Sequence, residues 1–544
     1  MSQRDAEGAL FAGFDVSTQS AKLVVIDPAA GAVVHVDRVD YDRDLPHYGT
    51  RDGAVQGLGE GVSESDPRMW IEAVEVLLGR LVGTGAQGHR GTGALAHRVR
   101  CISVSGQQHG LVALAQDGSL ARPRAKLWND FSTAEECRIL TDAVGGLERM
   151  LAEVGNSQRP GYTAGKILHL KRHEPEAWAR TATLLVVHNY INWYLTGGPN
   201  GGVAALEPGD TSGMALWNPA TGRWSRTVMM AIDPALRAKL PRLRPAHRTI
   251  GAVGAALATR FGLSPDCRVD AGSGDNMYGA LGTGNFTPGI VTVSLGTSGT
   301  SCTVLERPYV DPTGEIASYC DSTGKYLPLL CVSNLSNGYD ALLERLGLSH
   351  EGFAELVERA PPGNGGRVLV PWYVGERTPD VPFAAATALG FDVADLAGAR
   401  PEALCRAVVE GHVLNLWDGF ARMPVEPREI RLTGGLSASP AWCQTIADVF
   451  DTETVPVAGE GAALGAAIHA AWAWHREAGE ARPLAELAAP FVVLEEQRRR
   501  RPRAEHRATY ARVRRLFRAV SRRIRGLEGE DPFALRRDLA ESSR

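Results

Sequence analysis

An aspartate surrounded by glycines is the residue of this chain best suited to take a proton from a bound hydroxyl group. Asp275 stands in "GSGDN", where neighbours without side chains would let its carboxylate reach a ligand. A carboxylate placed in this way can act as a general base. The alternative is a helix cap, because Asp is a preferred N-cap and a helix could begin at Asn276. The residues alone favour neither interpretation.

The segment "FDVSTQS", Phe14–Ser20, ends a predicted strand with one acid and several hydroxyl groups. Asp15 could hold Mg²⁺ through water, since that ion prefers hard oxygen ligands. Thr18 and the neighbouring amides could take phosphate oxygens. The alternative role of Asp15 and Ser17 is to stabilise the turn by local hydrogen bonds.

Two turns in the second half of the sequence share this design of small residues after a strand. They are "SLGTSG" at Ser294–Gly299 and "TGGLSASP" at Thr433–Pro440. Each alone is typical of an ordinary tight turn, but three such turns in two halves favour a nucleotide held between domains. The sequence lacks G-x-x-x-x-G-K-[ST], and it lacks G-x-G-x-x-G between a strand and a helix. A P-loop and a dinucleotide fold are therefore disfavoured.

The elements that must position these residues are strands alternating with helices, which predicts an α/β fold. "LFAGFDVST", "AKLVVIDP" and "GAVVHVDRVDYD" predict three strands of a β-meander. "PRMWIEAVEVLLGRLVG" predicts a helix. Its apolar residues recur at helical spacing: Trp70, Ala73, Val74, Leu77, Leu78 and Leu81.

A second α/β unit begins near residues 270–285, which divides the chain. We expect a first domain over 1–280, a second over 281–490, and an Arg-rich terminal helix and tail over 491–544, loosely ordered from Leu527. The terminal segment carries an apolar stripe made of Tyr510, Val513, Leu516, Phe517, Val520 and Ile524. The stripe predicts a helix docked by one face with its arginines in solvent. The alternative is a helix that binds nucleic acid or acidic lipid.

The composition excludes several classes of protein. The 544 residues carry a formal net charge of −4, so the chain has no overall basic field for nucleic acid or anionic membranes. Its eight cysteines form no C-x-x-C pair, which argues against a disulfide framework and a zinc site and predicts buried, reduced thiols. Without an apolar leader or a membrane-spanning run, a cytoplasmic protein is expected.

Seven segments, in this order, resemble the motifs of the FGGY carbohydrate kinases. They are "GFDVSTQSAKLVVID", "ISVSGQQHGLVAL", "AKLWNDFSTAEEC", "GSGDNMYGALGTG", "VSLGTSGT", "VPWYVGERTPD" and "RLTGGLSASPAWCQTIADVF". The resemblance runs from about residue 10 to about residue 525. It implies an α/β, two-domain, actin-like ATPase fold, as in sugar kinases, Hsp70 and actin, with ATP and sugar in the cleft between the domains.

The resemblance also implies roles for single residues. By family position, Asp275 is the catalytic aspartate. The implied sugar contacts are Gln108, His109, Trp128, Asp130, Asp275 and Asn276. The implied nucleotide contacts are Asp15, Thr18, Gly296, Thr297, Gly434, Gly435 and Ser437, with Asp15 also at the metal. Ser17 stands where most of the family has Gly, which would put a hydroxymethyl group beside the phosphates.

A polar wall after a strand suits a sugar, since a polyol needs hydrogen-bond donors and acceptors on one side and an aromatic face against its C–H bonds. Gln108 and His109 in "SGQQHG", with Trp128 in "LWND", would supply both. These three residues form the predicted sugar wall. A single histidine is more often a surface residue, and this chain has 14.

Together with these observations, the resemblance predicts an ATP-dependent ketopentose kinase that uses Mg²⁺ and converts D-xylulose to D-xylulose 5-phosphate. One alternative is a related FGGY kinase for ribulose or another polyol. The other is a nucleotide-gated binding protein of the actin or Hsp70 kind that phosphorylates no sugar. The expected partners are the sugar and ATP, without nucleic acid or membrane, and the resemblance is compatible with a homodimer.

Overall fold

A computed structural model describes residues 8–83, 93–459, 461–480 and 482–542 of the chain. The expectation that the chain begins without an apolar leader concerns residues 1–7, which lie outside these ranges. Strands and helices alternate along the chain, as the sequence predicts.

The strands of the first half are β1 Leu10–Val16, β2 Ser20–Asp27, β3 Ala32–Asp40, β4 Thr50–Arg51, β5 Ala54–Val55, β6 Glu64–Ser65, β7 Val99–Gly106, β8 Val112–Leu114, β9 Ala125–Lys126, β10 Thr183–Leu185, β11 Ala205–Leu206, β12 Trp217–Asn218, β13 Arg223–Trp224, β14 Arg242–Leu243, β15 Thr249–Ala252, β16 Arg268–Asp270 and β17 Ser273–Gly274. Those of the second half are β18 Ile290–Leu295, β19 Gly299–Thr303, β20 Leu329–Val332, β21 Val368–Val370, β22 Thr387–Leu389, β23 Glu429–Thr433, β24 Thr454–Ala458 and β25 Val493–Leu494.

The helices are α1 Tyr41–Asp44, α2 Pro67–Gly83, α3 Gly93–Arg98, α4 Ala134–Val144, α5 Leu147–Val154, α6 Thr163–His173, α7 Pro175–Arg180, α8 Val187–Leu195, α9 Pro208–Gly213, α10 Arg226–Ile232, α11 Leu236–Lys239, α12 Ala255–Arg260, α13 Asp275–Gly282, α14 Asn337–Leu346, α15 His350–Arg359, α16 Val393–Leu396, α17 Pro401–Phe420, α18 Pro440–Phe450, α19 Gly461–Glu477, α20 Leu484–Ala488, α21 Arg507–Ile524 and α22 Pro532–Ser542. Short 3₁₀ turns occur at Pro46–Tyr48, Gly198–Asn200, Pro362–Gly366, Gly435–Ala438, Glu496–Arg498 and Ala504–His506.

The first sheet contains the predicted meander, in which β1, β2 and β3 pair antiparallel. Its strand order is β15–β16–β7–β1–β2–β3, and β17 pairs with β7 beside this path. Strands β1, β16 and β17 all run parallel to β7. Helix α2 covers one face with the six predicted apolar residues, all of them buried. The parallel strands therefore end at one edge of this sheet.

The second sheet repeats the arrangement with residues of the second half, as the sequence predicts. Its order is β20–β19–β18–β23–β24–β25, and β18, β23 and β24 run parallel. Its core includes buried side chains of helices α17, α18 and α21.

Helix α19 belongs to the second half of the chain but packs on the first sheet. Glycines make this contact possible: a Cβ at Gly465 would lie 2.0 Å from the Tyr278 carbonyl oxygen, and one at Gly13 would lie 2.1 Å from that of Ala463. Tyr278 lies in helix α13, which also contains the expected domain boundary at residue 280. The division at that residue stays a prediction.

The Arg-rich terminus forms helix α21, whose predicted stripe is buried except at one position. Ile524 is 40% exposed, because it is the last residue of the helix and lies past the packed face. Several arginines pair with acids, such as Arg518 with Asp418 at 2.7 Å. The expectation of a loose tail from Leu527 is wrong, because Pro532–Ser542 forms a helix that packs beside α21 and buries Leu539.

The eight cysteines are free thiols, and all except the half-buried Cys331 are buried, as predicted. Across the ranges that the structure describes, every helix is too short or too polar to cross a membrane.

Candidate active site

Three strand ends bring the predicted catalytic and sugar-binding segments together at one edge of the first sheet. Asp15 of β1 lies beside Ser105 of β7, and Ser273 of β17 lies on the other side of Ser105. The chain then continues from β7 into Gln108 and from β17 into Asp275. Ligands of open α/β sheets bind at such carboxyl ends of parallel strands.

Asp275 is the first residue of helix α13, and Gly274 occupies the N-cap position. The alternative interpretation of Asp275 as a cap is therefore wrong. Asn276 Nδ2 donates to Asp275 Oδ1 at 2.9 Å and to Gln108 Oε1 at 2.6 Å, so one amide joins the candidate base to the sugar wall. Burial raises the pKa of Asp275 to about 7, with help from the negative charges of Asp15 and Asp210.

The hydroxyl groups around Asp15 hold its carboxylate in place. Ser17 Oγ donates to one carboxylate oxygen at 2.7 Å, and Ser105 Oγ donates to the other at 2.8 Å. Burial nevertheless raises the pKa of Asp15. Ser17, the departure from the family pattern, thus directs its hydroxyl group at Asp15.

The chemistry of these acids fits a divalent cation. Within the described ranges, neither Asp15 nor Asp275 is within ion-pair distance of a basic side chain, although the charge of Lys22 reaches Asp15, and both acids are only partly buried. The described residues contain no cluster of three or more His, Cys, Asp or Glu arranged around a metal position. A cation held by Asp15 would complete its shell with water and ligand oxygens, as Mg²⁺ does.

His109 is fixed from several directions. Its backbone has a positive φ of 63°, and its Nδ1 lies 3.1 Å from Asp210 Oδ1. Its Nε2 lies 3.0 Å from the hydroxyl group of Tyr319. Lys166 Nζ donates to the His109 carbonyl oxygen at 2.8 Å. These contacts place the ring rigidly beside the cleft, and its contact with a sugar stays a prediction.

Gln108 keeps an unused donor. Its side chain is 4% exposed, and its Nε2 has no hydrogen-bond partner among the described residues. A buried donor without a partner is costly unless a ligand or water meets it.

Trp128 and Asp130 have different surroundings. Trp128 is half-buried, and its Nε1 donates to Thr18 Oγ1 at 2.9 Å, which joins the predicted sugar wall to the predicted phosphate turn. Asp130 is fully buried and accepts from Ser63 N at 2.9 Å and from Ser132 Oγ at 2.6 Å. Asp130 therefore braces this loop in the structure, and its direct contact with a sugar stays a prediction.

The predicted phosphate turns of the second half also lie side by side. Strands β18 and β23 are parallel, with Ser294 opposite Thr433, so the turns after them share one edge of the second sheet. Gly434 has a φ of 86°, and a Cβ there would lie 2.5 Å from the Leu295 carbonyl oxygen. Ser437 Oγ donates to the Gly434 carbonyl oxygen at 2.7 Å, which stabilises the second turn.

A cavity of about 1270 Å³ opens beside these turns. Gly296, Thr297 and Gly435 line it, whereas Gly434 and Ser437 are not among its lining residues. Other walls come from distant segments, among them Tyr339, His350, Glu358, Gln444 and Arg503. Its volume exceeds the range of about 300–1,000 Å³ typical of small-molecule sites, which leaves room for a nucleotide.

Four residues of this region were not singled out from the sequence: Lys166, Asp210, Tyr319 and Arg377. Lys166 lies in "GYTAGKI" and is completely buried, and burial lowers its pKa to about 7. Arg377 lies in "GERTPD", a motif that carries the family resemblance without a role for this arginine. The segment around Tyr319 has no motif, so only its contact with His109 reveals it.

Family models and curated relatives match most of this chain. The N-terminal domain model of the FGGY family of carbohydrate kinases matches residues 10–282, and the C-terminal domain model matches residues 291–474. The xylulose kinase of Haemophilus influenzae is 34% identical over 472 residues, covering 85% of this chain and 90% of the relative. That of Streptomyces coelicolor is 35% identical over 473 residues, covering 86% and 88%.

A solved structure shows the same fold. The crystal structure of xylulose kinase from Bifidobacterium adolescentis is 28% identical and has a TM-score of 0.76, covering 93% of this chain and 99% of that one. The fold is the two-domain, actin-like ATPase fold of the sugar kinases. The chain belongs to the FGGY family of carbohydrate kinases and is a carbohydrate kinase.

Proposed function

We propose that this kinase transfers the γ-phosphoryl group of ATP to D-xylulose, giving D-xylulose 5-phosphate, with Asp275 as the general base. The observation that carries the proposal is the position of Asp275, which Asn276 joins to Gln108 and whose pKa is about 7. The names of the two relatives support D-xylulose as the sugar.

In this proposal Asp275 takes the proton of the sugar's terminal hydroxyl group as that oxygen attacks phosphorus. A base with a pKa near neutrality is ionised often enough to act and is basic enough to accept a proton. Asn276 holds Oδ1 of Asp275 in place, and Gln108 offers its unused Nε2 to a sugar oxygen. These residues orient the acceptor, and orientation supplies much of the catalysis in phosphoryl transfer.

The nucleotide would occupy the cavity beside the second sheet, with Gly296 and Thr297 at its phosphates and Gly435 at its adenosine. Mg²⁺, when bound, would neutralise charge on the phosphates. Asp15 is the residue proposed to hold it, because its carboxylate lies at the cleft and is fixed by Ser17 and Ser105. Thr18, Gly434 and Ser437 stay predicted nucleotide contacts.

A substrate screen tests this proposal. D-Xylulose is expected to give the highest kcat/KM in a coupled assay of ADP release with about a dozen pentoses and polyols. A higher value for ribulose or glycerol would overturn the sugar assignment, and ATP consumption that no sugar stimulates would overturn the reaction. The alternative of a nucleotide-gated binding protein is not supported, because the family is one of kinases. A homodimer and a cytoplasmic location stay predictions.

The pH dependence of catalysis is a second test. Because only the ionised carboxylate accepts a proton, kcat/KM for the sugar is expected to fall as the pH drops below about 7, the pKa of Asp275. In the protein without Mg²⁺, Asp15→Asn removes a neighbouring negative charge, so the pKa of Asp275 should fall.

The measurements are kcat/KM of the wild type from about pH 5 to about pH 9 and, without Mg²⁺, the pKa of Asp275 in the wild type and Asp15→Asn by carbon NMR of the carboxyl groups. Asp266→Asn is the matched control, because the same change at an exposed position should leave the pKa of Asp275 unchanged. The same Asp275 pKa in Asp15→Asn and the wild type would contradict the electrostatic coupling, and a flat wild-type profile below about pH 7 would contradict the role of Asp275 as base.

A further inference from the structure

A rigid loop of the second half projects an arginine towards the candidate sugar wall; the inference from it rests on the proposed function. The loop lies between β21 and β22, and Glu376 closes it by two backbone hydrogen bonds with Val381, at 3.0 and 3.1 Å. The Glu376 carboxylate accepts from Asn334 Nδ2 at 3.1 Å and from Asn415 Nδ2 at 3.2 Å. Thr378 Oγ1 donates to the Cys331 carbonyl oxygen at 2.9 Å. The backbone on both sides of Arg377 is therefore anchored.

The guanidinium of Arg377 has few protein partners for its charge. Its Nη1 donates to Cys331 Sγ at 3.4 Å, and a thiol is a weak acceptor. Within the described part of the chain it forms no ion pair, whereas Arg367 of the same half pairs with Asp395 at 2.8 Å. Guanidinium has five N–H donors, so most of its donors remain for a ligand.

The guanidinium of Arg377 lies in the cleft between the two halves of the chain. Its central carbon lies 5.9 Å from the ring centroid of Trp128 and 5.9 Å from that of Phe131, both in the first half. The same loop reaches the first half again at Asp380, which lies 3.9 Å from Arg159. Trp128 in turn donates to Thr18, so Arg377 lies where the sugar wall meets the first phosphate turn.

The charge of Arg377 also reaches His109 on the sugar wall. Burial lowers the pKa of His109, Asp210 opposes this effect, and the positive charges of Lys166 and Arg377 lower it further. Arg377 therefore lies within electrostatic range of both Trp128 and His109.

We propose that Arg377 is a sugar-binding residue, whose guanidinium donates to oxygen atoms of the acceptor sugar seated between Trp128 and His109. The second half of the chain would then supply the positively charged side of the sugar pocket. Sugar oxygens accept hydrogen bonds, and bonds to a charged donor are stronger than those between neutral groups. A purely structural role, packing on two aromatic rings, would affect stability and leave sugar affinity unchanged.

The test compares Arg377→Met with the wild type. The dissociation constant for D-xylulose, measured by calorimetry without nucleotide, and the KM for D-xylulose are both expected to rise about 10- to 100-fold, the effect of losing a charge-assisted hydrogen bond. The KM for ATP should change by less than about threefold. Arg377→Lys keeps the charge without the planar fork and should give an intermediate sugar affinity.

Arg307→Met is the matched control, because it removes the same side chain at an exposed position and should leave sugar affinity unchanged. Thermal unfolding of each variant identifies any loss of fold, and Arg377→Lys then provides the comparison if Arg377→Met does not fold. Wild-type sugar affinity in a folded Arg377 variant would overturn this proposal, as would a rise confined to the KM for ATP, which would place Arg377 at the phosphates. If the wild type binds and phosphorylates none of the screened sugars, the proposed function fails and this proposal fails with it.

Discussion

Replacing Asp275 with asparagine is expected to lower sugar turnover roughly 10²–10⁴-fold, the range for loss of a general base. Asparagine has nearly the shape of aspartate and can still accept the hydrogen bond that Asn276 donates to Oδ1 at 2.9 Å. Its amide does not take up a proton at neutral pH, so the substitution removes proton transfer while it keeps the surrounding contacts. Sugar binding should therefore remain measurable.

Turnover, measured by coupled assay, reports the loss of proton transfer. Sugar affinity, measured by calorimetry, reports any loss of binding. Asp266→Asn, at an exposed position, controls for the loss of one negative charge. Near-normal turnover in Asp275→Asn would contradict the general-base assignment. Equal losses of turnover and of sugar affinity would instead give Asp275 a role in binding alone.

Replacing Gly465 with alanine is expected to destabilise the protein by about 3 kcal/mol, the upper end of the range for overpacking a core. The added Cβ would lie 2.0 Å from the Tyr278 carbonyl oxygen and 3.0 Å from the Gly282 nitrogen. Both are backbone atoms of helix α13, so relief requires a shift of that helix. Because α13 begins with Asp275, turnover should fall as well.

Gly279→Ala is the matched control for Gly465→Ala. Gly279 lies in helix α13, against which Gly465 of helix α19 packs, and no described atom outside the backbone of its own helix and its chain neighbours comes within 4 Å of its added Cβ. Alanine favours a helix over glycine by about 1 kcal/mol, so this variant should be as stable as the wild type or more stable. Chemical denaturation measures both variants, and equal stabilities would contradict the close helix contact.

Local structure was determined by the sequence itself. The meander follows from alternating apolar and turn residues, and helix α2 follows from an apolar stripe that includes Trp70 and Leu77. Such patterns depend only on residues that are a few positions apart in the chain, so the sequence contains them in full. The order of motifs also identified the family, and the family models agree.

The sequence left the role of Asp275 open between a base and a helix cap. The structure excludes the helix-cap interpretation, because the helix begins at Asp275 itself and Gly274 is its N-cap residue. Helix propensity does not predict the first residue of a helix to within one position. Likewise, the tail after Leu527 has the composition of a loose segment, and its packing against helix α21 orders it.

Only the tertiary structure decided which distant residues meet. The parallel pairing of β1, β7 and β17 brings Asp15, Gln108 and Asp275 to one edge, and the loop between β21 and β22 places Arg377 against Trp128. Helix α19 crosses to the first sheet through contacts at glycines. The sequence did not show these contacts, because strand order and close helix packing arise from residues far apart in the chain, whereas periodicity records only which face of each element is apolar.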